Sequence, residues 1–281
     1  MNNGLFEGII IVSDLDGTFL DNNSAMVLRN INKLEYFKEN GGLFTFATGR
    51  ALSALLCAIP DIDKVCNFPA ILCNGSYIYD FEKKCNIGEV FLQKQKAYTL
   101  IKEVIEKFPD VGCRIAVGDY HVCPSVNDEL IKEKQRYSSL VFEDATLDES
   151  YNLCWSKCVF VGQEKLLKQI EQFIMQRENA DFEFCFSNNH LFEMLAKGAT
   201  KKDRLKELKA LSNNENAKIF AIGDQENDRG MLCAADFRAC PDNAIPTIKQ
   251  IPNIIKVCAN NDGAICDLIE DIENNINIYK A

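Results

Sequence analysis

Four short groups of residues in this chain have the types and spacing to do chemistry: Asp14-Leu15-Asp16-Gly17-Thr18, Thr48-Gly49-Arg50, a lysine at position 201, and Gly223-Asp224-Gln225-Glu226-Asn227-Asp228. Asp and Gly are ordinary turn residues, so each group alone has a plain reading as the end of an element. Chance is a poor account of the first group, because four fixed positions match about once in 10⁵ windows at ordinary residue frequencies. Two carboxylates at i and i+2 on an extended segment point the same way. At that spacing both stay ionised comfortably only beside a cation. A hard divalent ion, Mg²⁺ held by carboxylates and water, resolves the conflict.

The elements that must position these groups are legible in the apolar pattern. Gly8-Ile9-Ile10-Ile11-Val12-Ser13, Leu43-Phe44-Thr45-Phe46-Ala47, Ala70-Ile71-Leu72-Cys73 and Lys218-Ile219-Phe220-Ala221-Ile222 are short apolar runs of the kind buried on both faces of a parallel sheet. Helical spacing follows the first, with Ser24 as expected N-cap, Val27, Ile31 and Leu34 on one face, and Gly41-Gly42 as the stop. The groups at 14–18, 48–50 and 223–228 come directly after such runs, and Lys201 opens the expected helix 201–211. In open parallel sheets the ligand crevice lies beyond the carboxyl ends of the strands, so these groups can converge there.

Between about 83 and 190 the rhythm changes. Strands are expected at 87–93, near 112–123, around 153–161, at 181–186 and at 190–195, with helices at 95–108, 127–137 and 164–178. Their polar–apolar alternation, as in Asp181-Phe182-Glu183-Phe184-Cys185-Phe186, suits a sheet with one wet face. The α/β pattern resumes afterwards with short strands at 237–240 and 254–257. The expected fold is therefore α/β, a Rossmann-like parallel core (1–82 and 191–281) interrupted by an inserted α+β cap (83–190). The Asn-rich tail (Asn274, Asn275, Asn277) reads as a frayed helix end.

Composition narrows the function classes. With 31 Lys and Arg against 41 Asp and Glu among 281 residues, the net charge is −10, which disfavours nucleic acid and anionic membranes as partners. The thirteen cysteines form no C-x-x-C pair, and only His121 and His190 are present to complete a zinc site. Most lie in apolar runs and are expected to be buried, reduced and inert, as in the cytoplasm. The N-terminus lacks the pattern of a signal peptide, and the longest apolar stretch, 51–60, is too short to span a bilayer.

Asp14-Leu15-Asp16-Gly17-Thr18 resembles the first motif of the haloacid dehalogenase-like hydrolase superfamily. Thr48 resembles the second motif, Lys201 the third and Gly223–Asp228 the fourth. Asn74-Gly75, Asn243-Ala244 and Asp262-Gly263 are similar to marks of the Cof-type, subclass IIB branch, whose α+β cap sits between the second and third motifs. The resemblance implies hydrolysis of a small phosphorylated metabolite, such as a sugar phosphate, through an aspartyl-phosphate. It casts Asp14 as nucleophile, Asp16 as general acid and base, and Lys201 as the charge on the phosphoryl group. Thr48, Gly49 and Asn227 would contact phosphate, with Asn227 alternatively orienting a metal ligand. Asp14, Asp224, Asp228 and the backbone carbonyl of Asp16 would hold Mg²⁺.

Local alternatives stand beside these roles. Thr48 can cap the helix starting near residue 50, Lys202 competes with Lys201, and Arg50 either faces substrate or pairs with a core carboxylate. His121 and His190 suit structural or surface roles, and Trp155 suits a cap core. The same catalytic set would serve a phosphomutase, a phosphate-binding regulatory module remains a third class, and a thiol or zinc protein a fourth.

Overall fold

The structure, a computed structural model, describes residues 4–136, 140–177 and 180–280. Residues 1–3, and the expected helix ends Tyr137 and Glu178, lie outside the described residues. In chain order the strands of the first part are β1 (Ile9–Ser13), β2 (Leu43–Phe46), β3 (Ala70–Leu72), β4 (Tyr77–Asp80) and β5 (Cys85–Ile87). Next come β6 (Gly112–Val117), β7 (Tyr120–Ser125), β8 (Val141–Glu143), β9 (Lys157–Val161), β10 (Phe182–Asn188) and β11 (Leu191–Ala196). The last are β12 (Lys218–Ile222), β13 (Phe237–Pro241) and β14 (Ile255–Val257).

The core sheet is parallel throughout, in the order β14-β13-β12-β1-β2. A parallel bridge from Ala47 to Ile71 sets β3 beside it, and β3 continues into the antiparallel β3-β4-β5. The unbroken apolar run of β1 follows from this position. Ile9 and Ile11 pack with Phe44, Phe46 and Phe220 beneath the helices Leu28–Glu39 and Ala264–Asn274. Ile10 and Val12 pack with Ile219 and Ala221 on the opposite face, under Lys201–Leu211 and Arg229–Ala234. Each large apolar side chain so buried contributes about 1.5–3 kcal/mol, so neither face of β1 tolerates a polar residue cheaply.

The inserted part is a six-stranded sheet, β10-β11-β9-β6-β7-β8, antiparallel except where β8 runs with β7. The helices Lys94–Lys107 and Glu164–Met175 cover one face, packing on Cys113, Ile115, Cys158, Phe160, Phe192 and Met194. Strand alternation sends Arg114, Lys157 and Glu193 to the opposite face, which lies over the core. That face carries polar residues as the sequence pattern implied, but it is covered and not wet: Arg114, Lys157 and Glu193 are all buried.

Several expectations are corrected. The chain crosses between core and cap at 88–93 and 197–200 rather than at 83 and 190. Cys85–Ile87 pairs with β4 in the core, and Leu191–Ala196 pairs with β9 and β10 in the cap. The strand expected at 87–93 is instead β5, ended by Gly88 at φ +61°, and β4 and β8 carried no sequence signal. Ser24 is not the cap of the first helix. The Asp21 carboxylate accepts from the backbone N–H groups of Asn23 and Ala25, forming a turn, and the helix starts after Val27 without a side-chain cap. The tail is not frayed: Ile276–Lys280 is helical, and the Tyr279 ring packs edge-on to Phe220 at 5.0 Å while its hydroxyl donates to Asp271 at 2.7 Å.

All thirteen cysteines are free; Cys57, Cys85, Cys154 and Cys233 are exposed, against the expectation of general burial. Among the described residues no helix is long and apolar enough to cross a membrane.

Trp155 is fully buried in the cap core and donates through Nε1 to the Ser150 carbonyl at 3.0 Å. Trp155→Ala is expected to cost about 3–5 kcal/mol in urea unfolding followed by far-UV circular dichroism. Ile278→Ala, at a side chain 71% exposed, is expected to stay within about 0.5 kcal/mol.

Candidate active site

The register of the core sheet levels the strand ends: Ser13 pairs with Ile222 on one side and Phe46 on the other. Asp14 therefore leaves β1 next to Gly223-Asp224 leaving β12. The chain after Asp14 turns sharply at Gly17, φ +80°, where an added Cβ would stand 2.7 Å from the Asp224 carboxylate. Gly223 is equally constrained, because a Cβ there would meet the Asp228 carboxyl carbon at 2.5 Å. These two glycines let three carboxylates share one small space. One ligand oxygen each from Asp14, Asp224 and Asp228 lies within 4.8 Å of the others, and all three residues are buried.

Lys201 reaches into this cluster from the first turn of its helix. Its Nζ donates to Asp14 Oδ1 at 2.6 Å and to Asp228 Oδ1 at 2.7 Å. The helix is fixed behind it by a capping box in which Thr200 and Asp203 satisfy each other's backbone N–H groups. A cation at a helix N-terminus opposes the macrodipole, so only the carboxylates explain its placement. Burial works against the Lys201 ammonium, yet Asp14 and Asp228 hold its pKa above the usual lysine value. Burial first, and Asp228 second, push the Asp14 carboxyl well above the usual carboxylate range and Asp224 up to about 7. Three carboxylates and one ammonium leave two negative charges uncompensated. A donor set of hard carboxylate oxygens with excess negative charge fits a divalent cation that keeps part of its water shell.

The second-strand group frames the site. Thr48 is buried and pinned by its backbone, its N–H donating to Ile71 and its carbonyl accepting from Asn74. Its Oγ1 accepts from the Arg50 N–H at 3.1 Å, which leaves the hydroxyl proton to donate. The following helix starts only at Leu52, capped by Ala51 without a side-chain bond, so Thr48 is not its cap. Lys202, the rival of Lys201, is exposed and lines a cavity together with Lys201, Arg229 and Gly230, and it is Lys201 that reaches the carboxylates.

Asp16 departs from the sequence argument. Its side chain is 52% exposed and turned from Asp14, and both carboxylate oxygens accept from Arg50, at 2.5 Å from Nη2 and 2.8 Å from Nε. The charge conflict that calls for a cation therefore lies between Asp14, Asp224 and Asp228, not between Asp14 and Asp16. The bend at Gly17 removes the extended geometry the i, i+2 argument assumed. Of Arg50's two alternatives, the structure has the carboxylate partner.

A cleft of about 160 Å³ opens above Asp14, walled by Asp16, Thr48, Gly49 and Asn227 from the core and by Arg114, His121, Lys157 and Glu193 from the cap. The sequence did not point to Arg114, Lys157, Glu133 or Glu193 as residues of the cleft. The available signal was a charged residue inside a strand buried along its whole length, as Arg114 is in β6 and Lys157 in β9. Arg114 is forked onto Glu133, at 2.8 and 3.1 Å, and Lys157 onto Glu193 at 2.6 Å. Burial first, then Arg114 and Lys157, hold the His121 pKa well below its usual value. His190 is an exposed turn residue. Asn243, one of the late marks, donates to the Gly17 carbonyl at 2.7 Å and so seats the turn after Asp14.

Residues 11–269 match the haloacid dehalogenase-like hydrolase family. The HMP-PP phosphatase of Yersinia enterocolitica is 25% identical over 240 residues, which cover 84% of this chain and 85% of that protein. The pyridoxal phosphate phosphatase of Escherichia coli is 26% identical over 255 residues, 88% of this chain and 92% of its own. A subclass IIB sugar phosphatase of the same superfamily superposes with a TM-score of 0.79 at 18% identity, covering 94% of this chain and 98% of its own, which is a likeness of fold. With the family matched along nearly all of its length, this chain belongs to the haloacid dehalogenase-like hydrolases.

Proposed function

We propose that the protein hydrolyses the phosphomonoester of a small, hydroxyl-rich metabolite, such as a sugar phosphate, in the cytoplasm, with Mg²⁺ as cofactor. The observation that carries this reading is the carboxylate of Asp14 at the floor of the cleft, held by Lys201 at 2.6 Å and grouped with Asp224 and Asp228. Asp14 Oδ attacks phosphorus, and the bond from phosphorus to the substrate oxygen breaks. Asp16 gives its proton to the departing oxygen, which requires it to leave the Arg50 fork. Water then attacks the phosphoryl group on Asp14, Asp16 takes the water's proton, and inorganic phosphate and the free carboxylate result. Lys201 and the Thr48 hydroxyl offset charge on the phosphoryl oxygens throughout. Asp14, Asp224, Asp228 and the Asp16 carbonyl would hold Mg²⁺, which when bound supplies further positive charge to the transferring group.

The character of the cap wall supports the substrate class. Arg114 is paired with Glu133 and Lys157 with Glu193, and His121 is neutral at pH 7. The wall is thus rich in hydrogen-bonding groups and balanced in charge, suited to a neutral polyol and not to a second anionic group. The free cysteines support a reducing compartment.

Asp14→Asn is expected to lower Mg²⁺-dependent release of p-nitrophenol from p-nitrophenyl phosphate by at least about 10³-fold, since an amide is no nucleophile here. Excess sugar phosphate should give free phosphate; isomer formation without it identifies a mutase instead.

Metal and protons compete for the same carboxylates. The raised Asp224 pKa contributes to stability of the metal-free protein below the unfolded value near 4, and that contribution is lost as pH rises through about 7. Saturating Mg²⁺ is accordingly expected to raise Tm by about 5 °C at pH 8 and by much less near pH 5.5. The difference between the two arms cancels titrations elsewhere, His121 included. Asp228→Asn should abolish the Mg²⁺ increment.

A further inference from the structure

One chain of hydrogen bonds crosses from the cap to the core directly behind the phosphate-facing residues. Lys157 and Glu193 stand side by side on the core-facing side of β9 and β11, with side chains only 4% and 3% exposed. Lys157 Nζ donates to the Gly49 carbonyl at 3.0 Å, one residue from Thr48. Glu193 Oε2 accepts from Lys157 at 2.6 Å and from Asn74 Nδ2 at 2.9 Å, while its Oε1 accepts from the Ser187 hydroxyl. Asn74, held at φ +58° between β3 and β4, then accepts through Oδ1 from Asn227 Nδ2 at 3.3 Å.

The donor and acceptor ends of this chain are not interchangeable. The Glu193 carboxylate, ion-paired with Lys157, has no proton to give, so the end of the Asn74 amide that meets it is the amino end. The other end of Asn74 is then its carbonyl, which obliges Asn227 to present its own amino group. The Asn227 Oδ1 is thereby left as an acceptor, and it is buried with no protein partner. A buried amide oxygen in this state takes a donor from whatever occupies the cleft: a substrate hydroxyl or the attacking water, not an oxygen of a phosphoryl dianion.

We propose that Lys157 and Glu193 are positioning residues that clamp the cap onto the core at the Gly49 carbonyl and the Asn74 amide and, through Asn74, fix the Asn227 amide with its oxygen toward a donor in the cleft. The kinetic arm of this proposal rests on the phosphatase reading above; the clamp itself does not. Asn74-Gly75, similar to a mark of the Cof-type branch, has a task in this clamp. Gly49 belongs to the same arrangement, because a Cβ there would approach the Asn74 amide to 3.1 Å.

The test is the double variant Lys157→Met with Glu193→Gln, which removes both buried charges together and so leaves neither unpaired. Hydrogen–deuterium exchange of peptides covering 48–56 and 70–76, free of substrate, is expected to quicken at least about 10-fold. With p-nitrophenyl phosphate, kcat is expected to fall at least about 10-fold with KM held within about threefold, as when a reacting geometry loosens without losing a binding contact. Unchanged exchange overturns the clamp. Quickened exchange with unchanged kcat overturns the positioning role, and a large rise in KM alone shows that the pair binds substrate directly and overturns it too. If the wild-type protein itself does not hydrolyse the ester, the phosphatase reading fails while exchange still decides the clamp. Should the double variant not fold, Ser187→Ala removes one hydroxyl from Glu193 and should move the same readouts about threefold, no movement overturning the proposal.

Discussion

Everything at the mouth of the core sheet is arranged around one electrostatic imbalance: a single buried ammonium, Lys201, set between Asp14 and Asp228 with Asp224 alongside. Removing three carboxylates from water is expensive, and one lysine compensates only part of it. The surrounding structure is built to hold that arrangement. The level ends of β1 and β12 bring Asp14 beside Asp224, the missing Cβ atoms of Gly17 and Gly223 leave room for the carboxylates, and the capping box at Thr200 fixes the helix that delivers Lys201. Thr18 Oγ1 donates to Asp224 Oδ1 at 2.9 Å, and the backbone N–H groups of Asp224 and Gln225 both donate to Asp228 Oδ2 at 3.0 Å. The orientation of each carboxylate is therefore set before any ligand arrives, the preorganisation on which electrostatic catalysis depends.

The cap follows a different logic. Its strands are amphipathic in an unusual sense, with one face apolar under helices and the other carrying charges that are nearly all paired: Arg114 with Glu133, Lys157 with Glu193. A buried pair of this kind adds little to stability by itself, but it orients hydrogen-bonding groups rigidly. Because the cap meets the core through such pairs, the wall facing Asp14 is defined by polar geometry and not by loose hydrophobic contact.

The candidate site was legible in the sequence because its groups are local: those at Asp14, Thr48 and Asp224 follow short apolar runs whose ends a parallel sheet aligns, and Lys201 opens a helix. The direction of Asp16 was not, since it depends on the left-handed turn at Gly17 and on Arg50, thirty-four residues away in sequence. The cap wall was illegible for the same reason in stronger form. Arg114, Lys157 and Glu193 come from three strands paired over long separations, and nothing near any of them in sequence names its partner. The crossing expected at 190 falls instead after Ala196, because the strand Leu191–Ala196 takes its hydrogen bonds from β9 and β10. The helical tail, expected to fray from its asparagines, is held by one aromatic residue, Tyr279, packed edge-on against rings more than forty positions earlier.

The account depends above all on Asp14 being the atom donor in a covalent step, with the neighbouring charges serving to hold it. Rapid acid quench of the wild-type protein during turnover of p-nitrophenyl phosphate, followed by peptide mass spectrometry, tests this most directly. The account predicts one phosphoryl group on the peptide carrying Asp14, absent in Asp14→Asn. Sustained Mg²⁺-dependent turnover with the phosphoryl group trapped on a different residue, or undiminished turnover by Asp14→Asn, would contradict it.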